Sequence, residues 1–141
     1  MTLSPPDPAA SDGWSDMPPD PEHYVALRTT CGLGARTVAA ARIGMENGLH
    51  CSALRKDGAV IAMARIIGDG GCFTQLVDVM VHPDHRGQGH ARAALDRALG
   101  WAEANLPESC LVSLVSTPGV EPVYAARGFR PLTGMVRNVG S

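Results

Sequence analysis

No run of about 18 unbroken apolar residues occurs in this chain of 141 residues, so no membrane-spanning helix is expected. The charge is nearly balanced, with 12 Lys and Arg against 14 Asp and Glu, which gives no overall electrostatic pull towards nucleic acid. The first residues carry neither a basic stretch nor an apolar core of the secretory kind, making the cytoplasm the simplest compartment. Cys31, Cys51, Cys72 and Cys110 are widely spaced with no C-x-x-C pair, which points to reduced, mostly buried thiols. No internal repeat is visible, and the length suits one domain with one core.

Residues 1–22 are rich in Pro, Asp, Ser and Ala, with only Leu3, Trp14 and Met17 as sizeable apolar side chains. Such a composition buries too little surface to offset chain entropy. The segment reads as a mobile tail and residues 23–141 as the domain, the alternative being that Trp14 docks on the domain or on a neighbouring chain. Residues 23–30 fit a first strand or the end of a helix, and 35–43 a short helix. Residues 49–55 and 60–67 read as two strands joined by Lys56-Asp57-Gly58, since Asp-Gly favours a tight hairpin. Gly68-Asp69-Gly70-Gly71 is a second turn, with Asp69 bracing it, and residues 72–81 form the next strand.

The chain is organised around LVDVMVHPDHRGQGHAR, Leu76 to Arg92. A strand runs through Pro83 into a turn with Gly87 and Gly89, and the turn opens into a helix over residues 89–105, whose Ala91, Ala94, Leu95, Ala98 and Ala102 share one face. Backbone N–H groups and the helix dipole then converge on one point, with Arg86 and Arg92 on either side, which is a site for phosphate. After Pro107, residues 111–115 read as a central strand, 120–126 as a short helix with Gly128 closing it, and 129–132 and 135–139 as closing strands. The order, an antiparallel meander followed by β-α-β-α-β, defines an α+β domain with helices packed on a mixed central sheet.

Three kinds of phosphate loop are to be compared. A P-loop needs Lys and then Ser or Thr after its last Gly, whereas His90 and Ala91 follow Gly89. A dinucleotide fingerprint needs Gly or Ala where Arg92 stands. The pattern Arg/Gln-x-x-Gly-x-Gly/Ala is met by Arg86, Gly89 and Ala91, and it resembles the coenzyme A pyrophosphate loop of the GNAT superfamily of N-acetyltransferases. Val79-Met80-Val81 before His82-Pro83 is similar to that family's fourth strand, and YAARGF, Tyr124 to Phe129, to its Tyr-x-x-x-Gly-Phe element. RIIGDGG, Arg65 to Gly71, resembles a bacterial branch of the superfamily.

The resemblance implies a GNAT-like sheet and acetyl-CoA as cosubstrate, held by Val79, Met80 and Val81 and by the loop Arg86, Gly87, Gln88, Gly89, His90, Ala91 and Arg92. It implies Tyr124 as the general acid for the departing thiolate, since a phenol stays protonated at neutral pH. Family members often carry a glutamate on the fourth strand as base. The only carboxylate there is Asp78, which orients a water or an ammonium, or else satisfies buried donors. Glu121 is a second candidate, and a neutral amine needs no base. His82, Asp84, His85 and His90 lack metal-site spacing, and no metal is expected.

The function implied is acetyl transfer from acetyl-CoA to a primary amine, most simply a small one, by direct attack in a ternary complex. The alternative is a catalytically silent acyl-CoA-binding sensor or interaction domain. Neither nucleic acid nor membrane is expected as a partner, and the edges of the closing strands are compatible with a homodimer.

Overall fold

A computed structural model describes residues 11–140. Among these residues five strands form one sheet in chain order: β1 (Gly13–Ser15), β2 (His50–Lys56), β3 (Ala59–Gly68), β4 (Phe73–Val81) and β5 (Leu111–Ser113). The first four pair antiparallel and β5 joins β4 parallel. The helices are α1 (Pro21–Thr30), α2 (Val38–Asn47), α3 (His90–Asn105) and α4 (Glu121–Ala125). Among the described residues no helix is long and apolar enough to cross a membrane.

Strand alternation divides the core in two. Cys51, Ala53, Met63 and Met80 meet Tyr24 and Leu27 of α1 and Ala41 of α2. Ala64, Ile66 and Leu76 meet Ala94, Leu95 and Ala98 of α3, whose small side chains bring that helix close to the sheet. The meander is as expected from the turn residues: Asp57 and Gly58 both take positive φ, 52° and 82°, in the β2–β3 turn. Asp69 Oδ1 accepts the amides of Gly71, Cys72 and Phe73 in the β3–β4 turn. Gly68 is obligatory there, since at φ 140° a Cβ would lie 2.2 Å from the Phe73 carbonyl oxygen.

Three sequence expectations are corrected. Residues 13–22 belong to the fold rather than to a mobile tail: β1 pairs with β2, with Trp14 opposite Leu54, and α1 starts at Pro21 behind its cap Asp20. Residues 1–10 of that tail lie outside the described residues. The segment is held less by its own apolar bulk than by Arg55, which donates to Ser15 Oγ and to the Met17 and Pro18 carbonyls. Asp12 adds bonds from the amides of Asp57 and Gly58. The expected closing strands do not form, as residues 129–139 carry no strand. Of the four free cysteines only Cys51 is buried, and burial pushes its thiol up to about 12.

Candidate active site

The strand that leads into the glycine turn has two unusual features. Met80 pairs with Met63 and Val77 with Arg65, so Asp78 and Val79 together oppose the single residue Ala64. This is a β-bulge, and Asp78 takes φ 57° within it, a conformation Asp tolerates better than most side chains. The ladder to β5 covers only Phe73↔Leu111, Thr74↔Val112 and Gln75↔Ser113. Thr74 Oγ1 donates to the Leu111 carbonyl and Ser113 Oγ to that of Thr74, closing this base. From Leu76 onward β4 has no ladder to β5 among the described residues, so its backbone groups on that side are not taken up by a neighbouring strand.

At the upper end of β4 the chain makes a short 3₁₀ turn over Pro83–His85, capped by His82 Nδ1, which accepts the Asp84 amide. Gly87 and Gly89 follow at φ 78° and 81°, and α3 begins behind Gly89 with no side chain capping its first turn. The amides of His90, Ala91 and Arg92 therefore face outward as a positive helix end suited to a diphosphate. A Cβ on Gly87 or Gly89 would meet no protein atom within 4 Å, so these glycines serve backbone angle and ligand approach rather than packing. Arg86 points back instead: its Nε donates to the Val81 carbonyl at 3.2 Å, bracing loop to strand. Gln88 Oε1 meets His90 Nε2 at 3.1 Å. Met80 is buried in the α1–α2 core, leaving its backbone alone for a ligand.

Tyr124 stands on α4, packed with Val79, Leu114 and Val123 against the α3 side of the sheet. Its ring meets Phe129 edge-on at 6.0 Å. Gly128 at φ 89° turns the chain so that the Phe129 amide reaches the Tyr124 carbonyl at 3.2 Å, which is why the Gly-Phe pair follows the tyrosine. Burial raises the phenol above its ordinary value of 10.0. Helix α4 is fixed to α3 by Arg127, which grips both oxygens of Asp96 at 2.6 and 3.1 Å. That contact holds the Asp96 carboxyl below its ordinary value.

Asp78 lies with α1, away from Tyr124. Its side chain is 2% exposed. Both oxygens are taken: Tyr24 Oη donates to Oδ2 at 2.7 Å, Arg65 Nε to Oδ2 at 2.9 Å and Arg28 Nη1 to Oδ1 at 2.6 Å. Arg65 also reaches the Gly44 carbonyl and lies over the Tyr24 ring. Tyr24, Arg28 and Arg65 were not recognised as one cluster in the sequence. The available signal was a carboxylate within an apolar strand, which must have partners. Glu121 turns to its own backbone, accepting the Gly119 amide at 2.8 Å. Among the described residues no three His, Cys, Asp or Glu side chains are placed to hold a metal. A cavity of about 230 Å³, lined by Asp16, His50, Arg65 and Trp101, does not touch the loop.

A bulged strand, a splayed neighbour, a glycine loop opening an uncapped helix and a tyrosine on the next helix occur here in one order. The sequence model described as "Acetyltransferase (GNAT) family" matches residues 12–129. The chain belongs to the GNAT acetyltransferase family. Among solved structures, one from meticillin-resistant Staphylococcus aureus, described as a probable acetyltransferase, is 30% identical. The match covers 89% of this chain and 97% of that one with a TM-score of 0.82. A GNAT-family protein of Xanthomonas campestris is 28% identical over 84% of each chain, with a TM-score of 0.61. A GNAT-family protein of Streptococcus pneumoniae, 21% identical over 89% of this chain and 95% of that one, shares the fold with a TM-score of 0.68. A comparison with curated proteins returns no significant match. The GNAT match begins at residue 12, next to the first residue of β1, Gly13.

Proposed function

We propose that this GNAT protein is an acetyl-CoA dependent N-acetyltransferase that moves an acetyl group to a small primary amine by direct attack in a ternary complex. The observation that carries this reading is that the β4 edge, unpaired from its bulge onward, leads into the uncapped α3 N-terminus, and that Tyr124 packs on the same core cluster as Val79 of that bulge. These residues fit the coenzyme: amides at one end for a diphosphate, an open strand edge for an amide-bearing arm, and an apolar wall of Val79, Leu114 and Val123 beyond. Acetyl-CoA, when bound, supplies an activated acetyl thioester.

The chain's own groups divide the remaining work. The Gly87–Gly89 loop and the first amides of α3 bind and orient the diphosphate. The Val79 backbone, turned by the bulge, supplies polar groups at the reacting centre. Tyr124 Oη holds a proton throughout the physiological range and delivers it to the leaving sulfur. Asp78, occupied by three donors, positions the bulge and takes no proton from the amine. The amine enters in its neutral form; its nitrogen attacks the thioester carbon, the C–S bond breaks as Tyr124 protonates the sulfur, and the proton shed by the acylated nitrogen passes to the Tyr124 phenolate and restores it.

The occupation of Asp78 also favours a second reading, a coenzyme-binding domain without turnover. Calorimetric titration with acetyl-CoA, followed by free-thiol release with a panel of amines, separates the two. Binding with amine-dependent release supports the enzyme, binding with none across the panel supports the sensor, and absence of binding overturns both.

A further inference from the structure

Two cysteines meet at the base of the β4–β5 pair. The parallel ladder opens with Phe73 beside Leu111, so the residues one position earlier, Cys72 and Cys110, are neighbours across the two chain segments. Their backbones are fixed. The Cys72 carbonyl accepts the Leu111 amide at 2.9 Å, the Cys72 amide donates to Asp69 Oδ1 at 2.9 Å, and the Cys110 amide donates to the Pro107 carbonyl at 3.2 Å. Neighbouring strands lie about 4.8 Å apart, within the ~4.4–6.8 Å between Cα atoms that a disulfide spans. The Cys110 sulfur leans towards β4, 3.8 Å from Thr74 Oγ1. Cys72 stands two residues before Thr74, the spacing that puts side chains on one face of a strand. Cys72 is exposed and Cys110 half-buried, so a small reagent reaches the pair.

The other two thiols are placed differently. Cys51 is buried in the α1–α2 core, its thiol pushed up to about 12. Burial also raises the thiol of Cys31, whose sulfur lies 3.4 Å from the Val81 carbonyl, at the opposite end of β4 from Cys72. A thiol held protonated is a poor nucleophile.

We propose that Cys72 and Cys110 are a dithiol pair that closes to an intramolecular disulfide by exchange with a low-molecular-weight disulfide, so that the hold of β5 on β4 depends on redox state. The thiolate of Cys72, the more exposed of the two, attacks one sulfur of the small disulfide, forming a mixed disulfide and expelling one thiolate. The Cys110 thiolate then attacks the Cys72 sulfur, forming the Cys72–Cys110 bond and expelling the second thiolate. The two protons lost by the cysteines end on the two expelled thiolates. The protein pair is oxidised and the small disulfide reduced, and an excess of small thiol runs the same steps backward. β5 is otherwise joined to β4 by three residue pairs, to which the bond adds a covalent tie one position before the first. It also closes the chain from β4 through the glycine turn and α3 into a single loop.

The test is incubation of the reduced full chain with glutathione disulfide, followed by alkylation of the remaining thiols, peptide mapping and thermal unfolding. The expected result is loss of two of the four thiols and one linked peptide pair joining Cys72 to Cys110. The melting midpoint should rise by roughly 5–10 °C, and dithiothreitol should reverse the rise. In Cys110→Ser, which replaces a side chain outside the buried core, the reaction is expected to stop at a glutathione adduct on Cys72. A lasting glutathione adduct on wild-type Cys72, a link to Cys31 or Cys51, a link between two copies, or an unreacted chain each overturns the proposal. A linked chain whose midpoint is unchanged or lowered overturns it too, because the sulfurs then meet only by distorting the strand pair. None of these readouts depends on acetyl transfer.

Discussion

Arg28 Nη1 donates to Asp78 Oδ1 at 2.6 Å across fifty residues of sequence, tying the end of α1 to the bulge of β4. With Tyr24 and Arg65 on the other oxygen, the carboxylate is the hub of a buried polar cluster. Asp78→Asn keeps a side chain that tolerates φ 57° but leaves two buried guanidinium groups without their counter-ion. A stability loss of about 3–5 kcal/mol is expected by urea unfolding. Turnover should fall with it, since the bulge no longer holds Val79. An Asn variant as stable as wild type would show that the cluster contributes nothing net.

Tyr124→Phe should lower turnover by roughly 10²-fold while acetyl-CoA affinity stays unchanged, because the proton is needed only as sulfur leaves. Stopped-flow thiol release beside calorimetry gives both numbers. Equal turnover would remove the tyrosine from the chemistry.

The pH profile follows from the same group. Burial raises the Tyr124 phenol above 10.0, so the acid form persists to beyond that pH and no alkaline fall due to it appears below it. The rate should climb with pH as the acceptor amine loses its proton. A bell centred near neutrality would point to another titrating acid.

Gly89→Val is expected to abolish acetyl-CoA binding in a folded protein. A Cβ at Gly89 has open space around it, but a side chain there opposes φ 81° and stands in the approach to the first amides of α3. Normal binding by the variant would place the diphosphate elsewhere.

His50 stacks on Trp101 at 5.1 Å and its Nε2 lies 2.7 Å from Ser52 Oγ. Burial lowers its pKa below 6.5, so the unfolded chain takes up the proton first and stability falls as pH drops through 6.5 towards the lower folded value. Denaturation midpoints between pH 7 and 5 should show this loss, and His50→Gln should flatten it.

Much of the fold was legible because local rules and tertiary packing agree. Asp57-Gly58 and Gly68 to Gly71 each specify one backbone shape and are found as read, and the stripe of α3 is buried at Ala94, Leu95, Ala98 and Ala102 while Ala91 is exposed. α1 was ambiguous on periodicity alone, although Asp20 followed by Pro21 is a helix start, and Tyr24 with Leu27 give its buried face. β1 escaped because its anchors, Arg55 and Asp12, act at long range. The loop and Tyr124 were visible as motifs, whereas the cluster on Asp78 joins residues whose proximity only the folded chain creates. The closing strands were misread, because residues 129–139 carry no ladder and alternation alone does not supply a strand partner.

Trp14 and Trp101, the chain's two tryptophans, both serve the far end of the α3 side. Trp14 lies under the Arg97 guanidinium at 5.3 Å, and Trp101 is roughly three turns, or 16 Å, along α3 from the glycine loop. The molecule's ultraviolet emission is therefore a gauge of how β1 and β2 dock on that helix, with no chromophore of this kind in the glycine loop. Any change in emission when a ligand binds at that loop would measure how stiffly α3 carries a push from one end to the other.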